Sequence, residues 1–293
     1  MSTIAIDAPG AAGAARIGAL LRSLPVGVRI AGAIVALYLL AAVLPGLLQP
    51  HDPFATDLDA ALQGPSVAHP FGTDQSGRDV LSRVIEGTRQ SLAIGVGATA
   101  LSFVFALALG IAAGLGGKLV DGAINRFLEV LFAFPILFVA LLFVAVFGQS
   151  VTTQIIAVAI GTAPGYARII RGQFLTVKGS AYVEAARAVG HSYGKIVRQH
   201  VFPNAMRPLV VMFTLGVGQA IVWASGLAFL GLGVAPPSPE WGALLDAGRA
   251  YVTSAWWLEL TPGLAIVVFA LSVTIVGRHV QERLEGKVKV QPL

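Results

Sequence analysis

The stretch Ser180–Asn204, SAYVEAARAVGHSYGKIVRQHVFPN, is a polar interruption in a chain that otherwise consists largely of apolar runs. Its first serine is suited to cap a helix whose apolar residues recur at i, i+3, i+4 and i+7, and Gly190 stands where a helix ends in a left-handed turn. Ser192 begins a second striped helix, which Pro203 is predicted to end, with Asn204 capping the next helix. We call this stretch the elbow and predict two short helices joined at a glycine.

The composition of the chain is typical of a polytopic membrane protein. Of its 293 residues, 56% are hydrophobic and 12% are charged, against roughly 25% charged in soluble domains, and the mean hydropathy is +0.78. The net charge of +5 and the pI of about 9.8 would raise nucleic acid as a partner of a soluble domain. The absence of cysteine excludes disulfides, thiol catalysis and cysteine-ligated metals.

Apolar runs without charged residues predict an all-α fold with six transmembrane helices. The predicted spans are 29–48, 92–115, 130–148, 151–169, 208–231 and 260–277. The predicted divisions are an N-terminal tail 1–28, a segment 49–91 with an amphipathic helix, a core 92–277 containing the loop 170–207, and a C-terminal tail 278–293. Gly110 and Gly114 form a GxxxG pair suited to close helix packing.

The distribution of positive charge predicts the orientation of these spans. Six spans place both ends of the chain on one side of the membrane. If that side is the cytoplasm, sixteen of the 20 Lys and Arg residues lie inside, and Arg78, Arg83, Arg89 and Arg249 lie outside. Both termini and the elbow are therefore predicted to be cytoplasmic, which also explains the basic pI without nucleic acid as a partner.

Several motifs resemble the membrane subunits of ABC importers, in particular the dipeptide, oligopeptide and nickel branch. They are EAARAVG with RQHVFPNA in the elbow, HPFGTDQSGRDVLSRVIEGTRQSL at 69–92, PGYAR at 164–168 and FLGLGVAPPSPEWGALL at 229–245. The resemblance implies a type I ABC importer permease fold in the cell membrane of a prokaryote. It also implies four kinds of partner: a second homologous permease subunit, one or two ATP-binding subunits, an extracytoplasmic substrate-binding protein and the lipid bilayer.

The same resemblance assigns roles to residues. Coupling to the ATPase is expected of Tyr182, Glu184, Ala185, Ala186, Arg187, Gly190, Lys195, Arg198, His200, Pro203 and Asn204. A structural signature is expected of Gly72, Thr73, Asp74, Gly77, Arg78, Asp79, Ser82, Arg83, Pro164, Gly165 and Arg168. Gly72 and Gly77 are predicted to bracket a turn, and Asp79 and Arg83 have the spacing of an i, i+4 ion pair.

The sequence contains no nucleotide-binding motif and no Asp, Glu or Lys deep within a predicted span, where ion-coupled transporters usually carry one. Energy is therefore expected from another chain, with ATP and magnesium bound by partner subunits and no cofactor bound by this one. The predicted cargo is di- or oligopeptides, with nickel chelates or glutathione-like compounds as alternatives.

Three other functional classes compete with an importer subunit. A secondary transporter and a membrane scaffold remain alternatives, whereas no catalytic constellation indicates an enzyme. His51 with Asp52, and His69 with Asp74, contain metal-ligand types. Isolated pairs in a loop rarely bind an ion, so no metal site is predicted.

Overall fold

The computed structural model describes residues 24–284. Residues 1–23 and 285–293, which hold most of the two predicted tails, lie outside this range. Within it, the regular structure is helical, apart from one isolated antiparallel bridge between Thr73 and Asp79. The all-α prediction is therefore confirmed.

The helices follow one another with short connections. They are α1 (Val26–Val43), α2 (Val80–Leu115), α3 (Lys118–Ala133), α4 (Ile136–Phe147), α5 (Val151–Lys178), α6 (Ala181–Ala188), α7 (Tyr193–Ile196), α8 (Phe202–Leu227), α9 (Trp241–Gly248) and α10 (Trp257–Leu284). Single 3₁₀ turns form at Pro45–Leu47, Leu58–Ala60 and Arg249–Tyr251, and wider π turns form at Val197–Val201 and Ala228–Leu232.

Four stretches within residues 24–284 are long and apolar enough to cross a membrane, or five if one bent pair counts as a span. They are Val26–Val43, Val80–Leu115, Tyr193–Leu232 and Trp257–Arg283, and the bent pair is α3 with α4. The predicted count of six is not confirmed. The predicted span 130–148 crosses an 80° bend between α3 and α4, because Pro135 lies at their junction.

Helix α2 forms the centre of the bundle. It joins the predicted amphipathic helix and the predicted second span into one helix of 36 residues, about 54 Å long at about 1.5 Å per residue. Its C-terminal half packs closely on α5. A Cβ atom on Gly110 would lie 2.8 Å from the Ala167 carbonyl oxygen, and one on Gly114 would lie 2.7 Å from the Cβ atom of Phe174. The GxxxG pair thus allows the predicted close packing.

The two ends of α2 are covered by different structures. At its N-terminal end, residues 49–79 and 233–256 pack together, and we call them the cap. The indole nitrogen of Trp241 donates to the Val84 carbonyl at 2.9 Å, and that of Trp257 to the Thr73 carbonyl at 3.1 Å. At its C-terminal end, the hydroxyl of Tyr193 in the elbow donates to the carbonyl of Leu115 at 3.0 Å. The cap and the elbow therefore lie at opposite ends of the bundle.

Candidate functional site

The bend of the elbow is a helix-terminating turn. Gly190 has a φ of +86°, in the left-handed region. The His191 amide donates to the Ala186 carbonyl at 3.1 Å, and the Gly190 amide donates to the Arg187 carbonyl at 2.9 Å. This pair of bonds is the Schellman arrangement, in which a glycine satisfies the last carbonyls of a helix. The prediction that Gly190 ends the first elbow helix is confirmed.

The second half of the elbow differs from the prediction. Helix α7 does not stop at Pro203 but continues through the π turn Val197–Val201 into α8. The Phe202 amide reaches back five residues to the Val197 carbonyl. The widened turn accommodates the missing amide hydrogen of Pro203, so the helix is not broken. Asn204 does not cap α8, because its side-chain amide donates to the His200 carbonyl at 2.6 Å.

The two predicted serine caps also differ. The hydroxyl of Ser180 donates back to the Val177 carbonyl at 2.7 Å instead of accepting from the first turn of α6. The side chain of Ser192 makes no capping bond to α7. Both serines occupy the predicted position before a helix, but neither side chain satisfies a helix amide.

Buried apolar side chains hold the elbow to the bundle. Val183 and Ala186 of α6, Ile196 of α7, and Val201 are buried. They belong to one cluster with apolar residues of α2, α3, α5 and α8, which include Phe174. Burial of a Val or Ile side chain contributes about 1.5 to 3 kcal/mol. The elbow is therefore attached to the bundle and does not hang from it as a free loop.

The opposite face of the elbow is open. The predicted apolar stripe is Tyr182, Ala185, Ala186 and Val189, and only Ala186 of these is buried. Tyr182 is 45% and Val189 77% exposed, because α6 packs on the bundle through Val183 and Ala186. The exposed coupling candidates are Tyr182, Glu184, Ala185, Arg187, Gly190, Lys195, Arg198 and Pro203. Within residues 24–284, no ion pair within 4.0 Å involves a charged side chain of the elbow.

Two histidines lie beside this charged face. The rings of His191 and His200 stack with centroids 6.1 Å apart, and the Lys195 ammonium is 3.1 Å from Nε2 of His191. His200 is half-buried. The coupling candidates are therefore exposed, except for Ala186, which is buried and anchors the elbow, and for His200 and Asn204, which are half-buried.

In the cap, Asp74 organises the structural signature. Its Oδ2 accepts from Nε of Arg78 at 2.7 Å and lies 3.4 Å from Nε of Arg83, and its Oδ1 accepts from the Ser76 and Arg78 amides. All three charged side chains are buried. The predicted pair between Asp79 and Arg83 is wrong: the Arg83 guanidinium turns to Asp74 and donates to the carbonyls of Pro53 and Pro237.

The residues around Asp74 form the predicted turn. Gly72 and Gly77 have φ values of +73° and +72°, and Thr73 is bridged to Asp79. Asp79 caps α2, since its Oδ2 accepts from the amide and the hydroxyl of Ser82 at 2.8 and 2.7 Å. The cap thus brings together the signature residues 72–83.

The remaining signature residues lie on α5, away from the cap. Pro164 is buried inside α5 and does not end this helix. Gly165 follows on the same helix, and the guanidinium of Arg168 lies 4.6 Å from the ring centroid of Phe132. This cation–π contact joins α5 to α3, just before the bend.

Sequence reasoning did not single out Glu240, which is 1% exposed. Its carboxylate accepts from the hydroxyl of Ser91 at 3.0 Å and from the Ala243 amide at 2.9 Å, so it caps α9 and ties it to α2. Burial raises the pKa of this carboxyl group, and these hydrogen bonds oppose the rise. Glutamate is not a preferred capping residue. The one signal in the sequence for a role of Glu240 is therefore its position between Pro239 and Trp241.

Residues 106–290 match the family described as "Binding-protein-dependent transport system inner membrane component". The chain belongs to this family. The matched permease domain contains α5, the elbow, α8, α9 and α10, and the cap residues 49–79 precede it.

Curated relatives are similar in sequence to the permease over most of its length. It is 36% identical over 256 residues to the dipeptide transport system permease protein DppC of Alkalihalophilus pseudofirmus, covering 87% of this chain and 84% of the relative. It is 38% identical to the probable D,D-dipeptide transport system permease protein DdpC of Escherichia coli, with 87% and 85% covered. It is 39% identical to the glutathione transport system permease protein GsiD of Salmonella typhimurium, with 89% and 86% covered.

Solved structures share the fold. The MetNI methionine ABC transporter in an inward-facing conformation matches with a TM-score of 0.58 and 17% identity, covering 69% of the permease and 96% of the solved chain. The crystal structure of an amino acid ABC transporter with histidines matches with a TM-score of 0.56 and 17% identity, covering 69% and 94%. The predicted type I importer fold is confirmed. The permease is the membrane subunit of a bacterial ABC importer, a fold that assembles with ATPase and membrane partners.

Proposed function

We propose that the permease conducts di- or oligopeptides, or short peptide-like compounds such as glutathione, into the cell. Support for this cargo comes from the relatives, which are named as dipeptide, D,D-dipeptide and glutathione permeases. In this proposal the permease pairs with a second, homologous permease subunit. An extracytoplasmic binding protein delivers the cargo.

We further propose that the elbow couples the permease to the ATPase. The exposed face of the elbow is the main observation in support. Arg187, Lys195 and Arg198 are exposed beside the apolar side chains of Tyr182 and Val189. Apolar contact provides affinity in a protein interface, and unpaired charge provides orientation. Buried anchors on the other face of the elbow would transmit the movement of a docked ATP-binding subunit to the bundle.

A cavity supports a path through the bundle. It has a volume of about 370 Å³ and opens between the bent pair α3–α4 and helices α5 and α8. Gln219 and Trp223, one turn apart on α8, line it and are exposed. An amide facing lipid would lack hydrogen-bond partners. We therefore assign this face to the translocation path or to contact with the second permease subunit.

The coupling proposal is tested in vesicles that contain the complete complex. Reversing Arg187, Lys195 and Arg198 to Glu is expected to reduce substrate-stimulated ATP hydrolysis and peptide uptake together, by at least about tenfold, since three reversed charges would remove the electrostatic match to a docked subunit. Arg278→Glu is the control, because its side chain is exposed on α10, outside the elbow. Unchanged uptake in the reversed variant would refute docking at the elbow.

Orientation is tested separately. The chain has no native cysteine, so single cysteines report sidedness without background. A Lys195→Cys variant is expected to react with an impermeant maleimide only from the cytoplasmic side, and Asp59→Cys only from the opposite side. The reverse pattern would contradict both the coupling role and the cytoplasmic position of the termini.

The cargo is tested by competition. Uptake of a labelled dipeptide by the complex should be reduced by excess unlabelled di- or tripeptide, and glutathione is compared in the same assay. If the complex takes up neither peptides nor glutathione in a saturable way, the proposed cargo is wrong. The test of ATPase coupling at the elbow does not depend on this outcome.

A further inference from the structure

Three side chains with metal-ligand atoms converge at the junction of the cap with α2. His51 follows the end of α1, His69 lies in the loop of the cap, and Asp79 directly precedes α2. Nδ1 of His69 is 2.9 Å from Oδ1 of Asp79, and Nδ1 of His51 is 3.7 Å from the same oxygen. One ligand atom from each of the three residues lies within 4.8 Å of the others.

We infer that His51, His69 and Asp79 form a site for a divalent transition-metal ion, with Zn²⁺ the best match. Two imidazole nitrogens and one carboxylate oxygen are ligands that zinc prefers. In a tetrahedral site with metal–ligand bonds of about 2.0 to 2.1 Å, neighbouring ligand atoms are about 3.3 Å apart. The distances of 2.9 and 3.7 Å to Oδ1 lie on either side of this value, so small side-chain rotations bring all three ligands to one ion.

The surroundings of the cluster orient its ligands. Oδ2 of Asp79 is occupied by the amide and hydroxyl of Ser82, which leaves Oδ1 facing the two imidazoles. The same hydroxyl accepts from the amide of His51 at 3.1 Å. The His69 amide donates to the hydroxyl of Ser66, and the His69 carbonyl accepts from Gly72. Such outer contacts hold metal ligands in place before the ion arrives.

A hydrogen-bonded cluster without an ion is the competing interpretation. It accounts for the contact between His69 and Asp79, and the rings of His51 and His69 also lie against each other with centroids 4.7 Å apart. It does not by itself require that Nδ1 of His51 point to the same carboxylate oxygen, 3.7 Å away and beyond hydrogen-bond distance. The side chain of His51 is 42% exposed and that of Asp79 is 1% exposed. The cluster is therefore open on one side, where an ion can enter and a water molecule can complete its coordination.

This site goes beyond the proposed transport function and does not depend on it. An ion held there would join three positions in the chain: His51 in the segment that follows α1, His69 in the loop of the cap, and Asp79, which caps α2. Its expected effect is to stabilise the cap.

The test uses the full-length chain, purified in detergent with a histidine-free affinity tag and stripped of metal with a chelator. Titration with Zn²⁺ against a chromogenic chelator is expected to give one tightly bound ion per chain. His51→Gln and His69→Gln are each expected to weaken this binding at least about tenfold, since each removes one of three ligands. Ser82→Ala should weaken it by about tenfold or more, because it releases an outer contact.

Two controls distinguish binding at this cluster from binding elsewhere on the chain. His279→Gln, at the far end of α10, should bind Zn²⁺ as the wild type does. His51→Gln should still fold, since its imidazole is half-exposed, but its melting temperature should no longer rise on addition of Zn²⁺. Equal Zn²⁺ affinity in the wild type and in the His51→Gln variant would overturn the assignment. Equal thermal protection by Mg²⁺ would overturn the assignment to a transition metal.

Discussion

The cap and the elbow cover the two ends of the same helix, but they hold charge in opposite ways. In the cap, Asp74, Arg78 and Arg83 are buried, and both guanidinium groups form ion pairs with the Asp74 carboxylate. In the elbow, the cations are exposed, and within residues 24–284 no acid lies within 4.0 Å of them. Buried charge is tolerated only when it is paired, whereas exposed unpaired charge is available to another molecule. The cap thus pairs its charges within the fold, whereas the elbow leaves its charges exposed to solvent.

The largest expected effect is on the cap. Asp74→Ala leaves the guanidinium groups of Arg78 and Arg83 buried without their acid, which should lower the free energy of unfolding by about 3 to 5 kcal/mol. Thermal unfolding in nanodiscs measures this loss. Asp59→Asn is the control, because the Asp59 side chain is exposed and its change should cost less than about 0.5 kcal/mol. Similar losses for both variants would mean that the buried network does not hold the cap together.

A pair of glycines sharpens the comparison, because Gly77 and Gly190 both have positive φ. A Cβ atom on Gly77 would lie 1.6 Å from the Asp57 carbonyl oxygen, whereas one on Gly190 would meet nothing within 4 Å. Gly77→Ala should therefore cost about 2 to 4 kcal/mol, from overlap and backbone strain together, and Gly190→Ala only about 1 kcal/mol, from strain alone. The measurement is the unfolding temperature of each variant. Equal shifts would contradict the difference in packing.

Two valines, Val183 in α6 and Val189 directly after it, distinguish attachment of the elbow to the bundle from docking of a partner on the elbow. Val183 is fully buried and Val189 is 77% exposed. Val183→Ala should lower the free energy of unfolding by about 2 kcal/mol through lost burial, whereas Val189→Ala should change it by less than about 0.5 kcal/mol. If α6 docks as proposed, only Val189→Ala weakens the binding of the ATP-binding subunit without loss of stability. If Val189→Ala left this binding unchanged, the exposed side of α6 would not be the docking face.

The smallest expected effect on stability is that of charge in the elbow. Arg198→Glu should change the free energy of unfolding by less than about 0.5 kcal/mol, because the side chain is exposed and, among residues 24–284, has no acidic partner to lose. Circular-dichroism melting of the purified variant measures this change. A large destabilisation would show that the elbow, like the cap, depends on its charges for folding.

The features predicted correctly from the sequence depend on nearby residues. Apolar runs mark α1, α2, α8 and α10 because about 20 apolar residues are needed to cross a bilayer. Gly190 and the turn at Gly72 and Gly77 follow from the backbone conformations that glycine alone adopts easily. The motifs that resemble importer subunits led to the family because they extend over many contiguous residues.

The features predicted wrongly depend on how the chain packs, which the spacing of residues in the sequence does not fix. Arg83 pairs with Asp74 because the chain folds back around Gly77, and the spacing from Asp79 carries no such information. Pro135 bends the third predicted span, whereas Pro164 leaves α5 continuous and Pro203 is accommodated by a π turn. The three prolines look alike in the sequence, and their effects are decided by packing. His51 and His69 meet at Asp79 only in the folded cap.

The π turn before α8 has a mechanical consequence. Because α7 runs into α8 as a continuous helical segment, a tilt imposed at the elbow would become a tilt of the membrane helix itself. Helix α8 has 26 residues and is about 39 Å long at about 1.5 Å per residue, so a rotation of about 10° at one end displaces the other by about 7 Å. A small rocking movement on one side of the bilayer would thus be amplified across it by a single lever.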